Sequence, residues 1–581
     1  MKGLFKGILK GIKNSIKRFP LTIGISMVCV IMLIYISEIR PDASSDFIET
    51  LGRVTMILAL GVPLSLCIKL YFERSESYAD MSLYASYVGG AVLLVLYYFF
   101  LLEDIGMISM SRYVAVSLIL YLVFLCIAYF PSGRDFELYV VKIFTRFFTT
   151  VLYSLVLYLG LIAILFTIDE LLGINIRSEL YYYTFLCVTG IFAPSFLLAG
   201  IPIKKEVLSL DDYSRLLKVL VLYIIMPLIS VYTIILYIYF GKIIITRQWP
   251  EGLVSHLVLW YSAISAAVLF FITPLLNEKG WTRRYMSYFP KAILPLIVMM
   301  FISIGIRINA YGVTENRYYV VALGIWVFLV MIYFAFAKKL RNIVLPLSLA
   351  IITFISVFGP VSSYTISKHS QSKRLDQIFV KNNMIKDNKV IKASTVVSEV
   401  DARNISSILN YFERNHSLSD VKQLPKDFKI AEIEKVLGIK YTDEYYGENN
   451  EYFFFNSAGS SELIDIKGYE YFYGTRNNGM QIPTSADLNI YFDYNSSILK
   501  VTKDGADLYK VDLQVFADKL IDKYGFNQKE ENFPQNEMTF EDENKDVKIK
   551  IQFNNISGNK NSSSGKIETK NFDFYVLLKT K

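Results

Sequence analysis

Apolar stretches of about twenty residues recur through the first 360 residues, and this recurrence limits what the chain can fold into. A helix needs roughly twenty residues to cross the ~30 Å hydrocarbon core of a bilayer. In lipid each segment must satisfy its own backbone hydrogen bonds, so such segments read as transmembrane helices. Eleven are legible, at about 19–37, 54–71, 82–102, 112–131, 147–168, 180–200, 217–240, 253–276, 290–306, 318–337 and 342–359. The second is short and contains Pro63. The last two are joined only by Lys338 to Arg341 and should form a tight antiparallel pair. The expected fold class is a polytopic α-helical membrane bundle of about eleven spans, followed by a C-terminal soluble α+β domain.

Charge divides at the same place. Residues 1–360 hold 30 Lys/Arg against 20 Asp/Glu, and the remainder holds 30 against 32. The net charge of +8 therefore belongs to the membrane half. The near-neutral tail argues against a nucleic-acid partner, which would call for a clustered basic surface. Cys29, Cys67, Cys126 and Cys187 all lie in apolar stretches, leaving the tail without cysteine. With three histidines and no cysteine pair at ligand spacing, no structural zinc site and no cofactor are expected.

The chain opens on MKGLFKGILKGIKNSIKRFP. Phe5, Ile8, Leu9, Ile12 and Ile16 share one helical face; Lys2, Lys6, Lys10, Lys13 and Lys17 fall mostly on the other. Residues 1–18 read as a basic amphipathic helix in the inner membrane interface, or as a positive flank that orients the first span. That span is too long for a cleaved signal and has no small-residue cleavage site after it.

Lys/Arg bias in short loops sets topology. With the N-terminus inside, inner segments hold 22 Lys/Arg and outer ones eight. Eleven spans then place residues 361–581 outside the cytoplasm. Ionisable residues are nearly absent from span centres: Glu103, Asp104, Asp169, Glu170 and Arg307 sit at ends. This disfavours an ion-driven pump, which needs intramembrane charges. Tyrosines such as Tyr181, Tyr182 and Tyr183 suit interfacial belts.

In the tail, residues 361–435 lean helical, with Leu375, Ile378, Phe379 and Met384, then Ile405, Ile408, Leu409 and Phe412, at helical spacing. Residues 450–581 read mainly as strands. LNIYFDYNSSILKVTKDG suggests a hairpin, and VDLQVFADKLIDKYG a helix ending at Gly525. Phosphate-loop, dinucleotide, nucleophile-elbow and HExxH signatures are missing. The acidic pairs Asp211-Asp212, Asp443-Glu444 and Glu530-Glu531 and the Glu541–Asp546 run read as solvated surface.

Four stretches stand out: YIYFGKIIITRQWPEG, RINAYGVTENRYYV, FGPVSSYTISKHSQSKRL and ARNISSILNYFERNH. They carry Lys242, Trp249, Pro250 and Gly252; Arg307, Tyr311, Gly312, Thr314, Arg317 and Tyr318; and Gly359, Pro360, Ser370, Gln371, Arg374 and Leu375. In these the chain resembles an uncharacterised bacterial family of polytopic membrane proteins, domain of unknown function 4153, most strongly over about 235–415. His369 stands where the family pattern prefers an acidic or plain basic residue. The resemblance implies one architectural unit and no activity.

Topology brings the first three stretches to one face. Lys242, Arg247, Trp249, Arg307, Tyr311, Glu315, Arg317 and Arg374 form the candidate outer-face cluster. Arginine forks suit phosphate and carboxylate groups, so beyond the lipid bilayer the expected partners are anionic headgroups or a cell-envelope component. The plainer alternative is a tight turn at Tyr311-Gly312 with anchoring residues at span ends. Glu315 could pair with Arg307 or Arg317. Three functions fit: a non-enzymatic envelope protein whose bundle positions an extracytoplasmic binding domain, a carrier or flippase of an amphipathic or lipidic substrate, and a transferase using a lipid-linked donor. The short first outer loop, with Glu38, Asp42, Asp46 and Glu49, weighs against the last.

Overall fold

The computed structural model describes residues 2–581 apart from 41–42, 75–79, 131–134, 173, 175, 203–207, 211–212, 248–252, 277–279, 388, 426, 442–450, 459–463, 475–481, 484–487, 494–495, 527–531 and 561–566. The chain divides into two compact units. One comprises Met1–Val397 and Ile408–Gly438, the other Ser398–Ser407 and Ile439–Lys581.

The first unit is a helical bundle. After α1 (Lys2–Arg18) come α2 (Pro20–Ile39), α3 (Ser45–Glu73), α4 (Asp80–Leu101), α5 (Met107–Ile127), α6 (Phe136–Leu172), α7 (Glu179–Leu198), α8 (Arg215–Thr246), α9 (Leu253–Ile272), α10 (Gly280–Tyr311), α11 (Glu315–Phe336) and α12 (Val344–Val357). Ten of them, α2 to α11, are long and apolar enough to cross a membrane. The eleventh expected span is α12, a helix of 14 residues. At 1.5 Å per residue it covers only ~21 Å.

Contacts at the helix ends nevertheless show where α12 runs. Trp326 of α11 donates to Ser348 of α12 midway. Beyond α12, the Val361 carbonyl accepts from Tyr318, and Ser363 donates to Tyr319, both near the start of α11. The chain therefore returns to the end at which α11 began, and a helix shorter than a full span closes the traverse. Other contacts obey the same alternation. Arg18, before α2, meets Glu73 at the end of α3 and the Ile201 carbonyl after α7. Asn342, before α12, donates to Thr273 just after α9. At the opposite end, Glu38 of α2 meets Arg177 before α7, Arg53 of α3 donates to the Leu102 carbonyl after α4, and Arg112 of α5 stacks on Phe358 and Tyr364 after α12.

Burial grades across the bundle. Of the most apolar window, 6% is buried within the protein in α6, against 56% in Val254–Leu275 and 44% in α10. Thus α9 and α10 form the protein-facing centre, while α6 offers its apolar surface to lipid. Two spans contain wide turns, Val188–Phe192 in α7 and Leu220–Ile225 in α8, each followed by a proline, Pro194 or Pro227. Pro194 has no N–H for the Gly190 carbonyl four residues earlier. The hydroxyl of Ser26 on α2 donates to that carbonyl instead.

Beyond α12 the same unit holds α13 (Ser363–Lys381), the hairpin β1 (Ile385–Lys386) and β2 (Lys389–Val390), and the short helix α15 (Ile433–Leu437). Helix α14 (Glu399–Asn415) precedes α15 and contributes to both units. The boundary read at 360 is thus not where the compact units part. Residues 361–397 and 408–438 belong with the membrane helices, because Leu375, Phe379, Leu409 and Phe412 are buried in folded structure rather than in a free linker.

The second unit is α+β. One sheet has the order β4 (Tyr471–Gly474), β12 (Ile567–Thr580), β11 (Val547–Lys560), β3 (Glu451–Ser457) and β9 (Asn532–Phe533), with β10 (Thr539–Glu543) also on β11. A second sheet runs β5 (Ile482–Pro483), β6 (Leu488–Asp493), β7 (Ile498–Lys503) and β8 (Ala506–Asp512). The 488–503 hairpin pairs Leu488 with Lys503 through to Asp493 with Ile498. Strict alternation puts Val547, Ile549, Ile551 and Phe553 inward, against α16 (Gln514–Tyr524) through Ala517, Leu520 and Ile521.

Candidate functional site

A set of polar contacts lies where α10 turns into α11. Helix α10 ends at Tyr311, and Gly312 takes φ +72°. A Cβ there would lie 2.9 Å from Gln371 Nε2, so glycine serves both the left-handed turn and the approach of α13. Gln371, buried on α13, donates to the Tyr311 carbonyl (3.1 Å) and the Val313 carbonyl (2.9 Å). The Val313 N–H donates to Ser370 Oγ at 2.9 Å. Arg317 Nη1 donates to the carbonyls of Gly312 (2.7 Å) and Tyr311 (3.1 Å), and Arg374 Nη1 reaches Tyr311 at 3.4 Å. Both guanidiniums lie over the Tyr311 ring, at 5.6 and 5.9 Å. Cations here satisfy the orphan carbonyls of a helix C-terminus and complement its dipole.

Beneath this clasp is a buried network. Glu315, the first residue of α11, is 2% exposed, and the His416 side chain is 1% exposed. Tyr411 donates to Glu315 Oε1 at 2.7 Å, and His416 Nε2 lies 2.8 Å from the same oxygen and 2.9 Å from the Tyr411 hydroxyl. A carboxylate at a helix N-terminus is favoured by the dipole. Burial, and then the bond to Glu315, push the Tyr411 phenol well above its ordinary range, so it stays a neutral donor. His416 Nδ1 is buried with no hydrogen-bond partner among the described residues. Alongside, Lys368 of α13 pairs with Asp420 at 3.0 Å, joining α13 to the turn after α14.

Of the eight cluster residues read from sequence, the structure brings Tyr311, Arg317 and Arg374 together. Glu315 lies next to them in sequence, but its Oε1 is held by Tyr411 and His416 rather than by an arginine. Arg307 sits one turn before Tyr311, half-buried. Lys242 and Arg247 are exposed at the end of α8, at the same end of the bundle. Among the described contacts nothing joins these three to Tyr311. Trp249 lies outside the described residues. Tyr411 and His416 were missed as site residues although ARNISSILNYFERNH contains both: an aromatic and a histidine on an amphipathic helix read as ordinary core and surface. Ser370 and Gln371 were legible only through the family pattern.

Ten membrane-length helices among the described residues, followed in the chain by an α+β unit, define a multi-pass membrane protein. The chain belongs to the DUF4153 family, a domain of unknown function, whose pattern matches residues 24–389. That match ends just past α13, so it takes in the α10–α11 turn and its clasp but not Tyr411 or His416. The chain is also similar to an uncharacterized protein of Pasteurella multocida (strain Pm70), 24% identical over 398 residues. The match covers 68% of this chain and 65% of the relative, so the chain spans about two thirds of the length of the curated relative it matches. No solved structure matches.

Proposed function

We propose that the protein is a non-enzymatic component of a bacterial cell envelope, whose membrane bundle fixes the segment from which a C-terminal α+β domain is presented outside the cytoplasm to an envelope ligand. One observation carries this reading: the buried Glu315–Tyr411–His416 network, which ties the start of a membrane helix to a helix of the post-membrane chain. A polar network left half-satisfied is costly, so an architecture retaining one here invests in holding that chain in place. The orientation rests on the excess of Lys/Arg at the Arg18 end and on the alternation of helix ends. In this reading Arg317 and Arg374, together with Arg307, Lys242 and Arg247 at the same end of the bundle, face anionic headgroups or an envelope partner.

The test is labelling of the full chain in intact cells. In a background with the four cysteines replaced by alanine, Lys519→Cys on exposed α16 should react with an impermeant maleimide. Lys339→Cys, between α11 and α12, should react only after permeabilisation. The reverse pattern would overturn the orientation. A carrier of an amphipathic substrate is the second reading, favoured by the proline-linked wide turns in α7 and α8, since such turns often mark functional sites. Substrate-dependent flux across proteoliposomes holding the full chain would favour it over the positioning role.

A further inference from the structure

Helix α1 lies at the opposite end of the bundle from the Glu315 network. Its described residues divide into three arcs at 3.6 residues per turn. Gly11 and Ser15 fall in one, Ile12 and Ile16 in the second, Lys10, Lys13 and Lys17 in the third. The first arc is packed on protein. A Cβ on Gly11 would lie 3.6 Å from Ala199 Cβ, and Ser15 donates to the Ser195 carbonyl at 2.8 Å. Small residues at this spacing let two helix backbones approach closely. The helix is then held at its C-terminal end by Arg18, which bonds Glu73 and the Ile201 carbonyl.

The lysine arc is open and the apolar arc partly so, with Ile12 half-buried. Ile16 is 41% exposed, and Lys10, Lys13 and Lys17 are exposed. Among the described residues no acidic group pairs with these lysines. Glu73, which Arg18 reaches at 2.8 Å, also lies 4.0 Å from Lys69. A helix fixed by its Gly11–Ser15 face cannot rotate to bury its apolar arc in protein. The apolar and basic arcs are satisfied together only at a boundary between hydrocarbon and anionic water-facing groups, and α1 leads directly into the membrane span α2. We propose that α1 is a fixed docking surface for anionic phospholipid headgroups, held by Lys10, Lys13 and Lys17, with Ile12 and Ile16 toward the acyl chains.

The experiment uses the full chain in nanodiscs, cysteines replaced by alanine, with bimane on Asn14→Cys within the basic arc. Quenching by headgroup-spin-labelled phosphatidylglycerol should exceed that by spin-labelled phosphatidylcholine, and should weaken as salt rises. The preference should fall roughly fivefold for each lysine changed to glutamine and persist in the Lys10→Arg/Lys13→Arg/Lys17→Arg variant. Equal quenching by the two lipids, or an unchanged preference in the triple glutamine variant, would overturn the proposal. Thermal unfolding of each variant separates loss of lipid contact from loss of fold.

Discussion

The two ends of the bundle solve the same problem with different physics. At the Arg18 end, Arg18 and Glu73 face each other at 2.8 Å with side chains 21% and 23% exposed, and the neighbouring lysines of α1 stay open. At the Glu315 end, carboxylate, imidazole and phenol are enclosed, and a glutamine and two arginines close the turn above them. A partly buried pair keeps some of its hydration, so breaking it costs less than breaking one that is fully enclosed. An enclosed pair has given up hydration, so removing one member strands the other. One end can therefore exchange partners with its surroundings, whereas the other is committed to a single arrangement.

The largest expected effect tests that commitment. Glu315→Ala should destabilise the folded chain by about 1–3 kcal/mol, because the buried Tyr411 and His416 lose their shared acceptor, seen as a clearly lowered thermal midpoint in nanodiscs. It should couple strongly to Tyr411→Phe in a double-mutant cycle. A midpoint within a degree of the parent would mean the enclosed network is not what holds that end.

Arg18→Ala should be milder, about 1 kcal/mol or less for the ion pair, and its effect should shrink between 50 mM and 500 mM salt. An effect as large and as salt-independent as that of Glu315→Ala would erase the difference between the ends.

The smallest effect should come from Asp104, in the turn before α5. The Ser109 hydroxyl and then the Gly106 N–H hold its carboxyl below the ordinary carboxylate range. A depressed folded value stabilises above the unfolded value of about 3.9 and is lost as pH falls through the folded value. The gap in thermal midpoint between the parent and Asp104→Asn should thus be full near neutral pH and close under acid. A gap that widened toward low pH would contradict this sign.

Much of the fold was legible because lipid is an undemanding reader of sequence: length and hydropathy suffice to place α2 to α11. The hairpin at 488–503 and the helix before Gly525 were legible for an equally local reason, alternation of period two and an amphipathic turn with a glycine stop. The three-sided pattern of α1 was half visible, its lysine and apolar faces plain and its small face unremarked.

Tertiary structure decided the rest. The last traverse is made by a 14-residue helix, and only the contacts of Ser348, Val361 and Ser363 with α11 show that it returns. The partner of Glu315 was sought among nearby arginines, because sequence proximity suggests ion pairs. The structure supplies Tyr411 and His416 from about a hundred residues downstream. A buried carboxylate takes whichever donors packing brings within hydrogen-bond reach, and that is set by how α13 and α14 return to the α10–α11 turn. Hydropathy and charge act along the chain and are written in it, whereas hydrogen-bond partnership inside a fold depends on which distant segments are brought to the same point.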